Sequence, residues 1–237
     1  MRVKEYLSVR GIGFRSVNVL EDAAGREELA ALGARSVPVV ARDGRFVFAQ
    51  MLQDVVEFLA LPDDTGPTLS PAELASRFDA ILAVAVRLSG QMPDRFLENQ
   101  LPNRPRSWRV LLHHVFQIAD SFLDCRAMDR PLRYEDLVAP PPEEMRSAAA
   151  IAVHGAAVRQ RFAAWWAGAA AADFGRRVEG YFGHTSLHEM LERTVWHATQ
   201  HVRQVDTLLR QVGVAPAAAL TPALLAGLPL PQKVWDE

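Results

Sequence analysis

The chain has 237 residues, of which 49% are hydrophobic and 23% are charged, a composition that is typical of globular proteins and excludes a disordered or fibrous one. The formal net charge of −2 shows no basic excess, so we expect no nucleic-acid partner. Cys125 is the only cysteine, which excludes an intrachain disulfide; because the N-terminus also lacks the apolar stretch of a signal peptide, we expect a cytoplasmic location.

Residues 1–61 contain short β-branched runs that are separated by turn residues. We predict a strand in GFRSVNVL (residues 13–20) and a hairpin in SVPVVARDGRFVFA (residues 36–49), because Asp43-Gly44 is a strong two-residue turn signal. The order strand, helix, hairpin, helix indicates a small α/β unit. Helical spacing predicts the two helices over Glu21–Leu32 and Leu52–Leu59.

Residues 62–70 are rich in proline and glycine and are predicted to be a linker. Residues 71–215 are predicted to be helical, and residues 216–237 to form a proline-rich tail. No residue between Gln211 and Gln232 is charged, but four prolines exclude a continuous membrane-spanning helix there, so we expect no membrane partner. The expected fold class is therefore a two-part α+β chain whose second part is an antiparallel four-helix bundle. Its helices are predicted at Pro71–Met92, Ser107–Met128, Pro142–Gly168 and Thr185–Val212.

Two histidines are adjacent in the second helix of this predicted bundle. The apolar positions of the helix recur at coiled-coil spacing from Trp108 to Cys125. In this register His114 flanks the apolar seam, whereas His113 is predicted to lie on the solvent side. Cys125 belongs to the seam and is predicted to be a buried structural thiol.

Two more histidines lie one turn apart in the last predicted helix. His201 occupies a seam position, and His197 lies about 40° around the helix from it, because each residue turns about 100°. The seam residues Thr194 and Ala198 are small, which favours a cavity. This HxxxH spacing suits one metal ion, and a third histidine from a facing helix would make an open three-histidine site of the catalytic type. The alternative is a hydrogen-bonded core pair or a coincidental surface pair.

The segments LLHHVFQIAD and LHEMLERTVWHATQHVRQVDTLLRQVG resemble the DinB-like four-helix-bundle superfamily, over about residues 71–215. Its members include thiol-dependent S-transferases and the mycothiol-dependent maleylpyruvate isomerase. Many members carry a further histidine four residues before the HxxxH pair, where this chain has Arg193. The resemblance implies a divalent metal, zinc before nickel, and a ligand set of His114, His197 and His201, with Gln204 matching the glutamine of the family motif.

The N-terminal segments VKEYLSVRGIGFRSVNV and SVPVVARDGRFVFA are similar to glutaredoxins, thioredoxin-fold proteins that recognise glutathione. The resemblance implies that Pro38 is a cis-proline and that the Val37 backbone pairs with a thiol peptide. No cysteine occurs in residues 1–70, so we expect no redox catalysis by this unit. It resembles a truncated glutaredoxin used for binding or scaffolding, or one that starts further upstream. An uncovered sheet edge would favour pairing with a second copy, in a homodimer, or with the helical bundle.

The expected function is that of a divalent-metal-dependent transferase or isomerase whose partners are a thiol such as glutathione and a small electrophile. Arg193 and Arg203 lie one turn from the histidine pair, where they would meet an anionic substrate or remain solvated. His188 lies near the start of the last helix, at a helix end or at the mouth of the site. The alternatives are a non-catalytic metal-binding stress-response or interaction module and a metal-dependent hydrolase.

Overall fold

The computed structural model describes residues 2–9, 11–35, 37–49, 52–62, 66–101, 104–169, 171–231 and 233–235. The chain divides into two compact units, Met1–Gly66 and Pro67–Glu237. The division falls within the proline-rich residues 62–70. The fold is a mixture of helices and short antiparallel strands, and each unit is described separately below.

The N-terminal unit contains the predicted hairpin between two helical segments. Asp43 and Gly44 form its turn with φ values of 52° and 71°, the positive values that a two-residue turn of this kind requires. Strand pairing runs from Val39 opposite Phe48 to Arg42 opposite Arg45. The hairpin and the Leu52–Leu59 helix are therefore confirmed. The elements of this unit are α1 (Arg2–Val9), α2 (Ala23–Ala31), β1 (Val39–Arg42), β2 (Arg45–Phe48) and α3 (Leu52–Leu59).

The strand that we predicted over residues 13–20 is wrong. None of these residues, all of which the structure describes, belongs to a strand. Phe14 and Leu20 are 43% and 86% exposed. β-Branched residues form a strand only where a neighbouring strand supplies hydrogen bonds, and β1 and β2 pair only with each other in the described part of this unit. A small core instead joins α1 and α3 through Tyr6, Leu7, Leu52 and Val56.

The C-terminal unit contains a long helix at each of the four predicted positions. Among them, α4 and α5 each pack against both α7 and α8. None of the helices in the described residues is long and apolar enough to cross a membrane. The four long helices are α4 (Pro71–Gln91), α5 (Trp108–Ala127), α7 (Ala148–Ala169) and α8 (Leu187–Gln211). The short elements are β3 (Gln100–Leu101), β4 (Arg104–Ser107), α6 (Tyr134–Val138), β5 (Arg177–Gly180), β6 (Gly183–Ser186) and α9 (Pro222–Leu225).

Helix α7 begins six residues later than the predicted start at Pro142. The Ser147 hydroxyl accepts a hydrogen bond from the Ala150 N–H (3.1 Å), and the Asp94 carboxylate accepts one from the Ala148 N–H (2.8 Å). These bonds satisfy two N–H groups of the first turn, which have no partner within the helix. Capping by Ser147 and Asp94 therefore fixes the start of α7.

The two helices that carry the candidate histidines each follow a short hairpin, which lies between the helices that we predicted. β3 pairs with β4, and β5 pairs with β6. Each hairpin ends in a serine that caps the next helix: Ser107 accepts a bond from the Val110 N–H, and Ser186 accepts one from the Glu189 N–H. The hairpins therefore fix where α5 and α8 begin and, with that, where their histidines lie.

Helices α5 and α7 approach each other closely at Gly155. A Cβ atom at this position would lie 2.4 Å from two ring carbons of Phe116, which is shorter than any van der Waals contact. The core around this contact contains the fully buried rings of Phe78, Phe122 and Phe162. Burial of such rings contributes about 2 kcal/mol each to folding and holds the four long helices together.

Candidate metal centre

Three histidines from two helices converge at one point in the C-terminal unit. His114 comes from α5, and His197 and His201 come from α8; each offers a ring nitrogen, and these nitrogens lie within 4.8 Å of one another. The ring centroid of His114 is 5.4 Å from that of His197 and 4.8 Å from that of His201. The sequence predicted these three residues to share a site, and the fold brings all three together.

Small residues on α8 leave room for this cluster. Thr194 and Ala198, on the same helix as His197 and His201, are both buried and short. The Thr194 hydroxyl donates to the Met190 carbonyl (2.8 Å), so its polar atom is satisfied within the helix. The helix therefore presents the two imidazoles without a bulky neighbour between them.

A glutamine one turn along the helix orients the ring of His201. The Nδ1 atom of His201 lies 2.7 Å from Oε1 of Gln204, and Nε2 of Gln204 donates to the Val234 carbonyl (3.0 Å). Because the amide nitrogen is engaged by a carbonyl, the amide oxygen faces the imidazole and accepts its Nδ1 proton. His201 therefore keeps the lone pair of Nε2 for a metal ion, the tautomer that ligand histidines in metal sites show.

The same arrangement recurs at His114, through a residue that sequence analysis did not identify. Nδ1 of His114 lies 3.4 Å from Oε1 of Gln117, and Nε2 of Gln117 donates to the Ala139 carbonyl (3.0 Å). The repeated spacing His-x-x-Gln, seen at His114 and His201, was the available signal. The side-chain oxygen of Gln117 thus faces Nδ1 of His114 as that of Gln204 faces Nδ1 of His201.

Burial keeps two of the three histidines, His114 and His197, uncharged at neutral pH. Burial lowers the pKa of His114 to about 3, with smaller effects from the charges of His201 and Arg106. Burial also lowers the pKa of His197 well below its ordinary value, as do the nearby His201 and His114. A neutral imidazole has the lone pair that a metal ion requires, so the electrostatics match the needs of a ligand set.

A cavity of about 400 Å³ reaches the cluster at His114. This volume is in the range of small-molecule sites. The cavity opens between the start of α5 and the α6 segment. Its walls include Glu98, Arg106, Val110, His114, Gln117 and Leu137.

His113 does not lie on the solvent side of α5, so that prediction is wrong. Its side chain is 6% exposed, and its ring stacks on that of His154 at a centroid distance of 5.6 Å and an angle of 17°. Helix α5 packs against α7 as well as α8, so two of its sides are covered. Burial lowers the pKa of His113 to about 4, followed by the effects of the His154 and Arg109 charges.

Arg193 is half-buried beside the cluster. It donates to the Tyr181 hydroxyl (2.9 Å), and its guanidinium lies 4.4 Å from the centre of the Phe182 ring. It lines a crevice of about 10 Å³ together with His197, a space for about one water molecule. Its side chain thus packs between aromatic rings next to the histidines instead of extending into solvent.

Two other candidates bind backbone carbonyls elsewhere in the unit. Arg203 donates to the Pro231 carbonyl (2.7 Å) and to Oε1 of Gln200 (2.8 Å). Nε2 of His188 lies 2.7 Å from the Leu69 carbonyl oxygen. Neither residue is among the described residues that line the 400 Å³ cavity, so the structure does not bring them to it.

Cys125 is fully buried, as predicted, and is a structural thiol. Its sulfur lies 3.6 Å from the Pro131 carbonyl oxygen. Burial raises the pKa of the Cys125 thiol to about 11, so it remains protonated at neutral pH. A protonated thiol is a poor nucleophile and a poor metal ligand.

The N-terminal unit contains the two residues that we associated with thiol binding. The Val37–Pro38 peptide bond is cis, and Val37 is 48% exposed at the start of the hairpin. The glutaredoxin family model matches residues 1–47. This match extends from α1 into β2, the second strand of the hairpin, and confirms that the unit is glutaredoxin-like. The chain has no significant match among curated proteins.

The glutaredoxin-like unit and the histidine cluster carry different chemical groups. The unit has no cysteine in the matched residues, whereas the cluster supplies three imidazole nitrogens. Three imidazoles with no carboxylate in the set suit zinc or nickel better than calcium or magnesium, which prefer oxygen ligands. The residues at the cluster therefore fit a transition-metal ion of this kind.

Proposed function

We propose that this protein is a divalent-metal-dependent transferase or isomerase that uses a low-molecular-weight thiol such as glutathione. The observation that carries the proposal is the convergence of His114, His197 and His201 beside a ligand-sized cavity. Neutral nitrogen donors next to a space for a small molecule are what a thiol-activating or water-activating metal site needs.

The proposal includes a DinB-like antiparallel four-helix bundle formed by α4, α5, α7 and α8. Its support is the packing of α4 and α5 against both α7 and α8. A further support is the histidine pair of α8, which is followed at Gln204 by a glutamine that orients His201. In this arrangement the metal lies between α5 and α8.

In the proposed site, His114, His197 and His201 hold zinc, with nickel as the alternative. The ion would lower the pKa of a thiol that it contacts and so supply a nucleophile at neutral pH. Gln117 and Gln204 hold two imidazoles in the tautomer that leaves Nε2 available. The cavity beside His114 would admit the thiol and the electrophile and orient them for attack.

Glutathione is the preferred thiol because residues 1–47 match the glutaredoxin family model. Since residues 1–70 contain no cysteine, the proposed role of this unit is binding and not redox exchange. In that role the exposed Val37 backbone, next to Pro38, would pair with the peptide of a glutathione molecule bound to this unit. A metal-dependent hydrolase is the second candidate, because three histidines beside a cavity lined by polar Glu98 and Gln117 also suit the activation of water.

The experiment begins with the metal content of untagged protein, determined by elemental mass spectrometry. We expect about one metal ion per chain. His201→Ala should lose the ion, whereas His184→Ala, which changes an exposed histidine of β6, should keep it. If both variants keep the ion, the result contradicts the proposed site.

The second step is a titration of the cobalt-substituted protein with glutathione. A shift of the cobalt absorption bands supports the thiol-dependent reaction. A stoichiometric metal with no response to the thiol contradicts it and favours the hydrolase or a non-catalytic metal-binding stress-response or interaction module.

A further inference from the structure

The cavity beside the histidine cluster has a basic side chain in its wall that sequence analysis did not identify. Arg106 lies in β4, next to Ser107, the residue that caps α5. It is half-buried and lines the 400 Å³ cavity together with His114 and Gln117. The hairpin that starts α5 therefore also places a guanidinium group at the proposed reaction site.

The basic side chain of the cavity wall is more enclosed than the acidic one. The described residues that line it include two charged side chains, Arg106 and Glu98. The Glu98 carboxylate is 79% exposed and lies 3.4 Å from Nε of Arg109, which balances its charge outside the cavity. The third titratable residue of the wall, His114, belongs to the histidine cluster.

Arg106 shares the cavity wall with His114, the member of the histidine cluster that the cavity reaches. A ligand that fills this cavity would meet both side chains. Val110 in the first turn of α5 and Ser107, which caps that helix, also line the cavity, so the partial positive charge of the helix N-terminus lies on the same side.

The other two arginines near the cluster lie outside the described wall of this cavity. Arg193 packs among aromatic rings and donates to Tyr181, and Arg203 donates to Pro231 and Gln200. Neither lines the 400 Å³ cavity in the described part of the chain. Arg106 is therefore the arginine that a ligand in this cavity would meet.

We propose that Arg106 makes this cavity a carboxylate-binding subsite, so that a substrate of the reaction carries a carboxylate held by the guanidinium while its reacting atom lies at the histidine cluster. The inference rests on the proposed function and names its substrate class. A guanidinium presents its N–H donors in a planar fork that matches the two oxygens of a carboxylate. In a half-buried cavity this pairing is stronger than in water.

The test compares two thiols of equal length on the cobalt-substituted protein, 3-mercaptopropionate and 3-mercapto-1-propanol. Absorption titrations give a dissociation constant for each. We expect the carboxylate to bind about tenfold more tightly than the alcohol, as is typical for a charge-assisted hydrogen bond. In Arg106→Gln this preference should fall to about one, and Arg106→Lys should retain part of it.

Arg146→Gln is the control, because it removes the same charge from an exposed arginine that pairs with Glu143. It should keep the wild-type preference. Circular dichroism and cobalt content show whether each variant is folded. Two results would count against the carboxylate subsite: the wild type shows no preference for 3-mercaptopropionate, or Arg106→Gln keeps that preference unchanged. Either result overturns the subsite if succinate binding is also the same in the wild type and in Arg106→Gln.

Succinate carries carboxylates but no thiol, so its binding shows whether the carboxylate at Arg106 belongs to the thiol or to the electrophile. It also tests this inference independently of the proposed function. Isothermal titration calorimetry of the metal-free protein should show succinate binding that Arg106→Gln weakens by about tenfold. If Arg106→Gln weakens succinate binding but leaves the preference between the two thiols unchanged, the carboxylate belongs to the electrophile. If the wild type binds no cobalt, the proposed function fails, and the succinate comparison alone decides whether Arg106 binds carboxylates.

Discussion

Gln204 and Gln117 each connect an imidazole of the cluster to a backbone carbonyl. Gln204 is itself held by the Val234 carbonyl, and the neighbouring Gln200 donates to the same carbonyl (2.7 Å). The Val234 carbonyl thus holds the side-chain amide of Gln204, which in turn orients the His201 ring. This chain of hydrogen bonds makes Gln204 a positioning residue for the proposed metal ligand.

Replacing Gln204 with leucine should weaken metal binding while leaving the fold intact. The change removes the acceptor of the His201 Nδ1 proton, and loss of such a partner typically lowers metal affinity about 10- to 100-fold. Competition with a chromophoric chelator measures the dissociation constant. Gln211→Leu, at the exposed end of the same helix, is the matched control and should bind metal like the wild type. Equal affinities in both variants would contradict the role of Gln204.

His113 should make the stability of the metal-free protein depend on pH. Burial lowers its pKa from an ordinary 6.5 to about 4 in the folded protein, so the unfolded chain takes up this proton at a higher pH than the folded one. The contribution of His113 to the free energy of unfolding is complete above pH 6.5 and is lost as the pH falls from 6.5 towards 4. His114 and His197, whose pKa values are also lowered, act in the same direction.

Urea unfolding at pH 7.5 and pH 4.5 tests this dependence. We expect the wild type to lose about 2 kcal/mol more than His113→Gln between these pH values. His184→Gln, a change at an exposed histidine, should show the wild-type loss. The same loss in all three proteins would show that His113 is not the source.

Gly155 determines how closely two of the long helices pack. Gly155→Ala places a methyl group against the Phe116 ring and should lower the free energy of unfolding by about 1–3 kcal/mol. Gly90→Ala is the control in the neighbouring α4, because its methyl group would lie at an ordinary 3.5 Å from the Cβ atom of Ala152. That change should be neutral or stabilise by about 1 kcal/mol through helix propensity. Chemical denaturation compares the two, and equal effects would contradict the close approach at Gly155.

Hydrophobic periodicity predicted the long helices because each has an apolar side that must be buried. Hydrophobic periodicity failed for the short segments outside these helices, where a strand forms only if a partner strand is present. Residues 13–20 had strand-like composition but no partner strand, and the short hairpins before α5 and α8 had no recognisable alternation. Periodicity also assigns one buried side to each helix. It therefore placed His113 in solvent, although α5 packs against two neighbours.

The candidate site was predictable to the extent that it depends on spacing within a helix. The HxxxH pair of α8 and the choice of His114 followed from helical register and from the family resemblance. Arg106 lies in β4, outside any helix and between two of the helices that we predicted. Only the β3–β4 hairpin brings it to the cavity, and a sequence pattern carries no signal for such a placement.

At the scale of the whole chain, a glutaredoxin-like unit precedes a helical unit with a histidine cluster. The outer edges of the β1–β2 hairpin have no partner strand among the described residues, and Phe48 on this hairpin is exposed. A homodimer through one of these edges is part of our proposal, as is a cytoplasmic location. Both the homodimer and the cytoplasmic location are expectations from the sequence. The proposed small-molecule partners are a thiol and an electrophile.

The claim on which the proposed function depends is that the three histidines bind a metal ion. Elemental mass spectrometry of untagged wild-type, His201→Ala and His184→Ala protein tests it most directly. We predict about one zinc or nickel ion per chain in the wild type and in His184→Ala, and almost none in His201→Ala. A wild-type protein that retains no ion after purification and after incubation with zinc, or a His201→Ala protein that keeps its ion, would contradict the claim.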